Sequence, residues 1–467
     1  MGGIFGVVSK SDCVSDLFYG TDYHSHLGTR RGGMAVYNSD GIHRTIHNIE
    51  NSYFRTKFDA DLSKFHGKKG IGAISDTDPQ PLVIGSHLGT FALVTVGKIN
   101  NQAELIKRAY NRRSHFSDTS DGAVNPTELV AMLICEADSF KEGILNAQRS
   151  IRGSCSMLLL TADGIYASRD QFGRTPLAIG KRDGSLAVTF ETCAFPNLGY
   201  TTDYYLGPGE IVLLTADGRE QVQPPGDRMQ ICSFLWVYYG FPASSYEGIN
   251  VEAARNRCGA ALARLDNTEI DFVAGIPDSG IGHAIGYAGE RRLPLHRPFV
   301  KYTPTWPRSF MPQNQAMRDL VAKMKLIPIQ ELIAGQRILF CEDSIVRGTQ
   351  LKDNVQILYD YGAREVHMRP ACPCLIYPCE YLNFSTSRST LDLAGRKMVK
   401  ALEGAEDRDL ALYAQHGSKK NLAMVEEIRK QLRLTSLKYQ RLQDLIPAIG
   451  LPKEKLCTHC WDGSSYC

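Results

Sequence analysis

Short apolar runs separated by glycine-containing turns fill the first part of the chain, at residues 3–9, 70–75, 90–96, 154–161, 164–169, 185–190 and 209–215. Runs of that length between turn residues predict strands, and the stretches 127–137 and 140–148 read as interleaved helices, an α+β pattern. Gln221, Val222 and Gln223, followed by Pro224, Pro225, Gly226 and Asp227, read as a linker between domains at 1–225 and 226–467. Beyond it the pattern predicts a helix at 251–265, a strand at 272–276, a helix starting at 282–289 and a central strand at 337–341. Helices at 390–404 and 422–434 would pack on these. Strand and helix in alternation predict a parallel α/β sheet.

A chain of 467 residues can bury two or three cores. With 43% hydrophobic and 22% charged residues it falls in the range of ordinary globular proteins, and a net charge of +3 is too small to suggest a nucleic-acid binder. No apolar run approaches the roughly 18 residues of a membrane span, and the first residues lack the basic and apolar regions of a signal peptide. A cytoplasmic location is therefore expected. Thirteen cysteines in such a chain suggest a metal or cluster site before they suggest disulfides.

The densest chemistry follows the central strand. Glu342 and Asp343 end it, and Ser344, Ile345, Val346, Arg347, Gly348 and Thr349 form a polar turn into a helix. Ligands of open α/β sheets bind at that edge. Backbone N–H groups at the helix start, with the Ser344 and Thr349 hydroxyls, suit a phosphate dianion, and the acidic pair suits ribose hydroxyls, directly or through Mg²⁺. An acidic turn alone is common; the full string reads as a sugar-phosphate site. A second anion-accepting turn, Asp278-Ser279-Gly280, also follows an apolar strand, although taken alone it is equally a good generic turn. Between the two lies a proline-interrupted stretch containing Lys301, Arg308, Arg318, Lys323 and Lys325, which reads as a cationic lid or, alternatively, as a solvated basic loop.

Asp278-Ser279-Gly280, Arg308-Ser309-Phe310 with Arg318, and the run from Asp343 to Thr349 together resemble the glutamine phosphoribosylpyrophosphate (PRPP) amidotransferase family. Glu342 stands where that family usually has Asp, and Gln350 where it usually has Thr. The resemblance implies an α+β N-terminal-nucleophile (Ntn) glutaminase-like domain followed by an α/β type I phosphoribosyltransferase domain. It further implies that Asp278, Ser279, Gly280, Glu342, Asp343, Ser344, Val346, Arg347, Gly348 and Thr349 bind PRPP, that Ser279, Glu342 and Asp343 hold Mg²⁺, and that Arg308 and Lys325 act in catalysis.

Cys457 and Cys460 form a C-x-x-C pair, half of a metal or cluster site. In family members with an iron-sulfur cluster, one ligand precedes an aromatic strand and another lies in a Pro-Cys turn, matching Cys232 and Cys379. The resemblance thus implies a four-iron, four-sulfur cluster on Cys232, Cys379, Cys457 and Cys460, with zinc as the alternative. Cys372 and Cys374 lie close enough to Cys379 to leave the assignment there open.

The first domain resembles the family's glutaminase through Gly3-Ile4-Phe5-Gly6-Val7, Arg31-Gly32, Gln80-Pro81, Arg169-Asp170 and Glu191-Thr192. That chemistry needs a cysteine exposed at the start of the mature chain, whose thiolate attacks the glutamine amide. Gly2 occupies the nucleophile position. The arginine that clamps the glutamine carboxylate aligns with Ser75, the oxyanion-hole asparagine with Val96, and the aspartate that recognises the substrate amine falls near Pro126. One lost oxyanion donor costs about 2.7 to 4 kcal/mol in acyl-transfer sites. Loss at several positions favours a natural degeneration over a single engineered replacement. The expected function is ammonia-dependent formation of 5-phosphoribosylamine in purine biosynthesis by a homotetramer, with purine nucleotides as inhibitors. The alternatives are a non-catalytic PRPP or nucleotide-binding regulatory paralogue and, last, a phosphoribosyltransferase with another nucleophile.

Overall fold

The computed structural model describes residues 2–117, 122–302, 326–383 and 389–465. Two antiparallel sheets lie face to face in the first part of the chain. One has seven strands, in the spatial order Thr201–Tyr205, Ala178–Arg182, Ser185–Thr189, Gly2–Ser9, Lys69–Ser75, Arg31–Asn38 and Gly41–Asn48. The other has six, from Gly218–Gln223 at one edge to Leu82–Ser86 at the other. Ile4, Val8, Ile71 and Ala73 of the first sheet share one core with Val94, Leu158, Leu160 and Ile165 of the second.

The outer faces are covered as well. Phe5, Val7 and Met34 pack against Leu17, Phe18, Phe54 and Phe58, while Phe91, Leu93, Met157 and Leu159 pack against the helices Pro126–Ile134 and Phe140–Ser150. Helix, sheet, sheet and helix thus stack in four layers. Every residue of Gly2–Ser9 is buried, which is why it reads as a continuous apolar run rather than an alternating one.

The second part carries a four-stranded parallel sheet in the order Phe272–Gly275, Arg337–Glu342, Glu365–Pro370 and Ser436–Leu437. The helices Val251–Arg264, Ile281–Arg291 and Thr349–Asp360 belong to it, and Ala394–Glu403 and Lys419–Gln431 cover a face of its core. No described helix is long and apolar enough to cross a membrane.

Most of the expected elements are present, with instructive differences. The strand Gly218–Gln223 runs into the expected linker, because its backbone pairs with Ile211–Thr215 although its side chains are mostly polar. The helix expected at 390–404 is broken: Thr390–Asp392 is a 3₁₀ turn and the α-helix begins at Ala394. The hairpin of Arg31–Asn38 with Gly41–Asn48 was not expected; its second strand is half exposed and rich in polar residues.

Trp236 anchors the junction between the two parts. It is 1% exposed, stacks edge-on against Tyr246, and donates from Nε1 to the Ile249 carbonyl at 3.1 Å. Trp236→Ala should therefore cost about 3–5 kcal/mol, read as a lowered urea midpoint. A midpoint unchanged from wild type would contradict this packing.

Candidate functional site

Parallel pairing of Phe272–Gly275 with Arg337–Glu342 sets Gly275 beside Cys341, so the loops after both strands leave from one sheet edge. Each loop then enters a helix N-terminus, at Ile281 and at Thr349, where no side chain caps the first-turn N–H groups and these lack intrahelical partners. Tight packing explains the glycines. A Cβ on Gly280 would lie 2.2 Å from the Cys341 carbonyl oxygen, and Gly348 adopts φ +75°, the left-handed conformation that suits glycine.

The two loops are bonded to each other. Ser279 Oγ donates to Glu342 Oε1 at 3.0 Å, and the Asp343 backbone N–H donates to the same oxygen at 3.1 Å. Ser344 Oγ donates to Asp343 Oδ2 at 2.7 Å, and Lys301 Nζ donates to Asp278 Oδ2 at 2.6 Å. Glu342 is buried, and burial first, then the neighbouring Asp343 carboxylate, raises its pKa well above the ordinary carboxyl value. Its extra methylene relative to Asp is used to reach Ser279.

Asp278, Ser279, Gly280, Glu342, Asp343, Ser344, Val346, Arg347 and Gly348 thus all occur at this edge, and Thr349 opens the second helix. Arg347 is ion-paired to Asp392 at 3.4 Å. Arg308, Arg318, Lys323 and Lys325 lie outside the described residues. The sequence reading overlooked Arg255, buried on the helix Val251–Arg264, which donates to the carbonyls of Trp236, Tyr238 and Gly240 behind the site. An arginine on the buried side of an apolar stripe was the available signal.

Cys232 and Cys457 stand side by side in a short parallel pair, Cys460 follows on the helix His459–Asp462, and all three line one small cavity with Cys379. Phe234, Tyr381, Leu382 and Trp461 enclose it. Cys379 is the most acidic of the four, drawn down to about 7 by its contact with Cys460, against burial, and helped by Lys98. Cys374 lines a different cavity, while Cys372 is absent from this one. The cavity that the four cysteines line with these neighbours has a volume of about 10 Å³, and among the described residues no group of three or more His, Cys, Asp and Glu is arranged to hold a single metal ion.

At the other end of the chain, Gly2 pairs with Ser75, and a Cβ on Gly2 would lie 2.3 Å from the Ile74 carbonyl oxygen. Real Cβ atoms do not approach so closely. Ser75 bonds Asp78 at 3.3 Å, Asp78 accepts from Thr127 Oγ1 at 2.6 Å and from Thr77 Oγ1 at 2.5 Å, and Thr127 and Thr95 hydroxyls are 2.7 Å apart. These polar groups satisfy one another. Val96 is buried in the core between the sheets, and Pro126 occupies the first turn of a helix capped by Asn125. Lys98 Nζ donates to the Cys379 carbonyl at 2.8 Å, and Asn383 Nδ2 to the Gly97 carbonyl at 3.3 Å.

Glu191, which the sequence marked only as part of a match, is a fully buried carboxylate between the two parts of the chain. It accepts from Ser244 Oγ at 2.7 Å and Tyr246 OH at 2.8 Å, and lies 3.2 Å from His26 Nε2. Burial would raise its pKa, but His26 and Ser244 outweigh it and hold it at about 2. A depressed folded-state value adds stability above the unfolded value of 4.5, which is lost as pH falls towards 2. Glu191→Ala should cost about 3–5 kcal/mol near neutral pH by leaving its partners buried and unpaired. Glu191→Gln should flatten the acid limb of urea midpoint against pH; a limb as steep as wild type's would refute the assignment.

A model of the glutamine amidotransferase domain matches residues 69–197. The amidophosphoribosyltransferase of Archaeoglobus fulgidus is 31% identical, covering 91% of this chain and 88% of its own length. That of Methanothermobacter thermautotrophicus is 30% identical, covering 99% of this chain and 93% of its own. The solved glutamine PRPP amidotransferase of B. subtilis, complexed with ADP and GMP, superposes with a TM-score of 0.84 at 28% identity, over 99% of this chain and 96% of that one. The four-layered part is accordingly an Ntn glutamine amidotransferase fold and the parallel sheet a type I phosphoribosyltransferase fold, and the chain belongs to the amidophosphoribosyltransferase family.

Proposed function

We propose that this chain transfers the phosphoribosyl group of PRPP to ammonia, making 5-phosphoribosylamine for purine biosynthesis, and that it does not hydrolyse glutamine. The observation that carries the reading is the contrast between its two ends. The strand register leaves no room for a side chain at Gly2, whereas the Ser279–Glu342 contact joins two anion-accepting loops at one edge. In this reading residues 1–225 form the glutaminase-like domain and residues 226–467 the transferase.

The loop from Ser344 to Thr349 holds the 5-phosphate through backbone N–H groups, Glu342 and Asp343 orient the ribose hydroxyls, and Asp278-Ser279-Gly280 receives the pyrophosphate. Arg308 and Lys325 balance the departing charge. Two carboxylates in contact, both buried, suit a divalent cation. Mg²⁺ held by Ser279, Glu342 and Asp343 would supply positive charge to the leaving pyrophosphate. Because Glu342 must lose its proton to take up that cation, affinity for Mg²⁺-PRPP should rise with pH up to the carboxyl's raised pKa.

Four thiols under an apolar cap, on the buried Cys232 and Cys457 and the half-buried Cys379 and Cys460, also suit a four-iron, four-sulfur cluster. Zinc is the alternative metal for the same four thiols. Assembly as a homotetramer and inhibition by purine nucleotides extend the reading; the B. subtilis relative solved with ADP and GMP supports the latter.

Asp343→Asn should weaken PRPP-dependent pyrophosphate release with ammonia by about 10- to 150-fold, the worth of a charged hydrogen bond of roughly 1.5–3 kcal/mol. Release at the wild-type rate would remove the acidic pair from the site. Gly2→Cys should yield no glutamate from glutamine, measured by stoichiometric release. Glutamine turnover by wild type or by this variant would show the glutaminase to be intact or a single substitution away.

A further inference from the structure

A cavity of about 390 Å³ lies at the same edge of the parallel sheet as the transferase loops, but beside the last two strands. That volume suits a small organic ligand. Its floor is a saturated ion pair. The buried Arg369 guanidinium binds Asp266 and also donates to Thr268 Oγ1 at 2.9 Å, while Asp266 accepts from Tyr287 OH at 2.8 Å and Lys438 Nζ at 2.9 Å. Burial would raise the Asp266 pKa, but Arg369, Thr268 and Lys438 hold it well below the ordinary carboxylate range.

The floor is thus fixed, and the spare capacity lies above it. Three cationic side chains, Arg369, Lys438 and Arg441, line the cavity against the single carboxylate of Asp266. Lys438 uses one of its three donors, on Asp266. Arg441 spends Nε and Nη2 on Asp444 and has no bond from Nη1 among the described residues. His416 also lines the cavity and makes no hydrogen bond among them either. Opposite these groups stand Leu262, Leu265, Leu422 and Val425, with Leu265 and Leu422 exposed at the rim.

We propose that this cavity is a second ligand site, taking a small organic anion whose carboxylate, sulfonate or phosphate group meets Lys438 and Arg441 and whose apolar body lies on the leucine and valine wall. An apolar molecule alone would leave the unused donors of Lys438 and Arg441 facing it unsatisfied, and an inorganic anion would leave the wall wet. The site adjoins the transferase edge through the backbone. Gln440 N–H donates to the Pro370 carbonyl at 3.1 Å, and the next residue, Ala371, donates to the Glu342 carbonyl at 2.8 Å.

The test uses the full chain and two fluorescent probes of similar shape, anilinonaphthalene sulfonate and the uncharged phenylnaphthylamine. Wild type should bind the sulfonate saturably, and the neutral probe at least about tenfold more weakly, the equivalent of roughly 1.4 kcal/mol. Arg441→Gln should weaken the sulfonate about tenfold and the neutral probe hardly at all, and Val425→Trp, which fills the cavity, should abolish both. Leu422→Glu, at the exposed rim where little packing is lost, should weaken the sulfonate and serves if the tryptophan variant does not fold. Sulfonate affinity unchanged in Arg441→Gln and Leu422→Glu, or equal binding of the two probes to wild type, would overturn the proposal.

Discussion

The structure depends first on the register of two parallel strands. Because Gly275 pairs with Cys341, the turn at Asp278-Ser279-Gly280 and the acidic pair Glu342-Asp343 leave the sheet side by side. Ser279 then meets Glu342 across the gap, with two helix N-termini behind them. The close glycine packing and the Ser279–Glu342 contact follow from that placement, and so does the anion binding proposed for this edge. A shift in register would separate the loops and dissolve the site.

The two parts of the chain share more than a covalent link. Glu191 crosses from the sandwich to bind Ser244 and Tyr246, and Lys98 reaches the carbonyl of Cys379. Lys98 also draws Cys379 towards the thiolate form. The segment containing Gly97 and Lys98 bonds the residues around Cys379, through Asn383 and the Cys379 carbonyl. The first domain thus makes direct contacts with the second, whatever its own chemistry.

Much of this was legible in the residues. The buried strands announced themselves as unbroken apolar runs, and the loop from Glu342 to Thr349 lies, as its residues suggested, between a strand end and a helix start. What was hidden was set by partners distant in sequence. The half-exposed strand Gly41–Asn48 is held by backbone pairing that its polar residues do not signal. Arg255 and Glu191 look like surface charges until the fold buries them. Glycine at position 2 signalled a missing thiol, yet only the packing against the Ile74 carbonyl revealed the missing space.

The central claim is that nitrogen reaches the transferase site as ammonia and not from glutamine. The most direct measurement supplies isotope-labelled ammonium in one reaction and amide-labelled glutamine in another, each with Mg²⁺ and PRPP, and traps the phosphoribosylamine for mass analysis. Label from ammonium alone is the predicted result. Label arriving from the glutamine amide, with equimolar glutamate, would contradict the account.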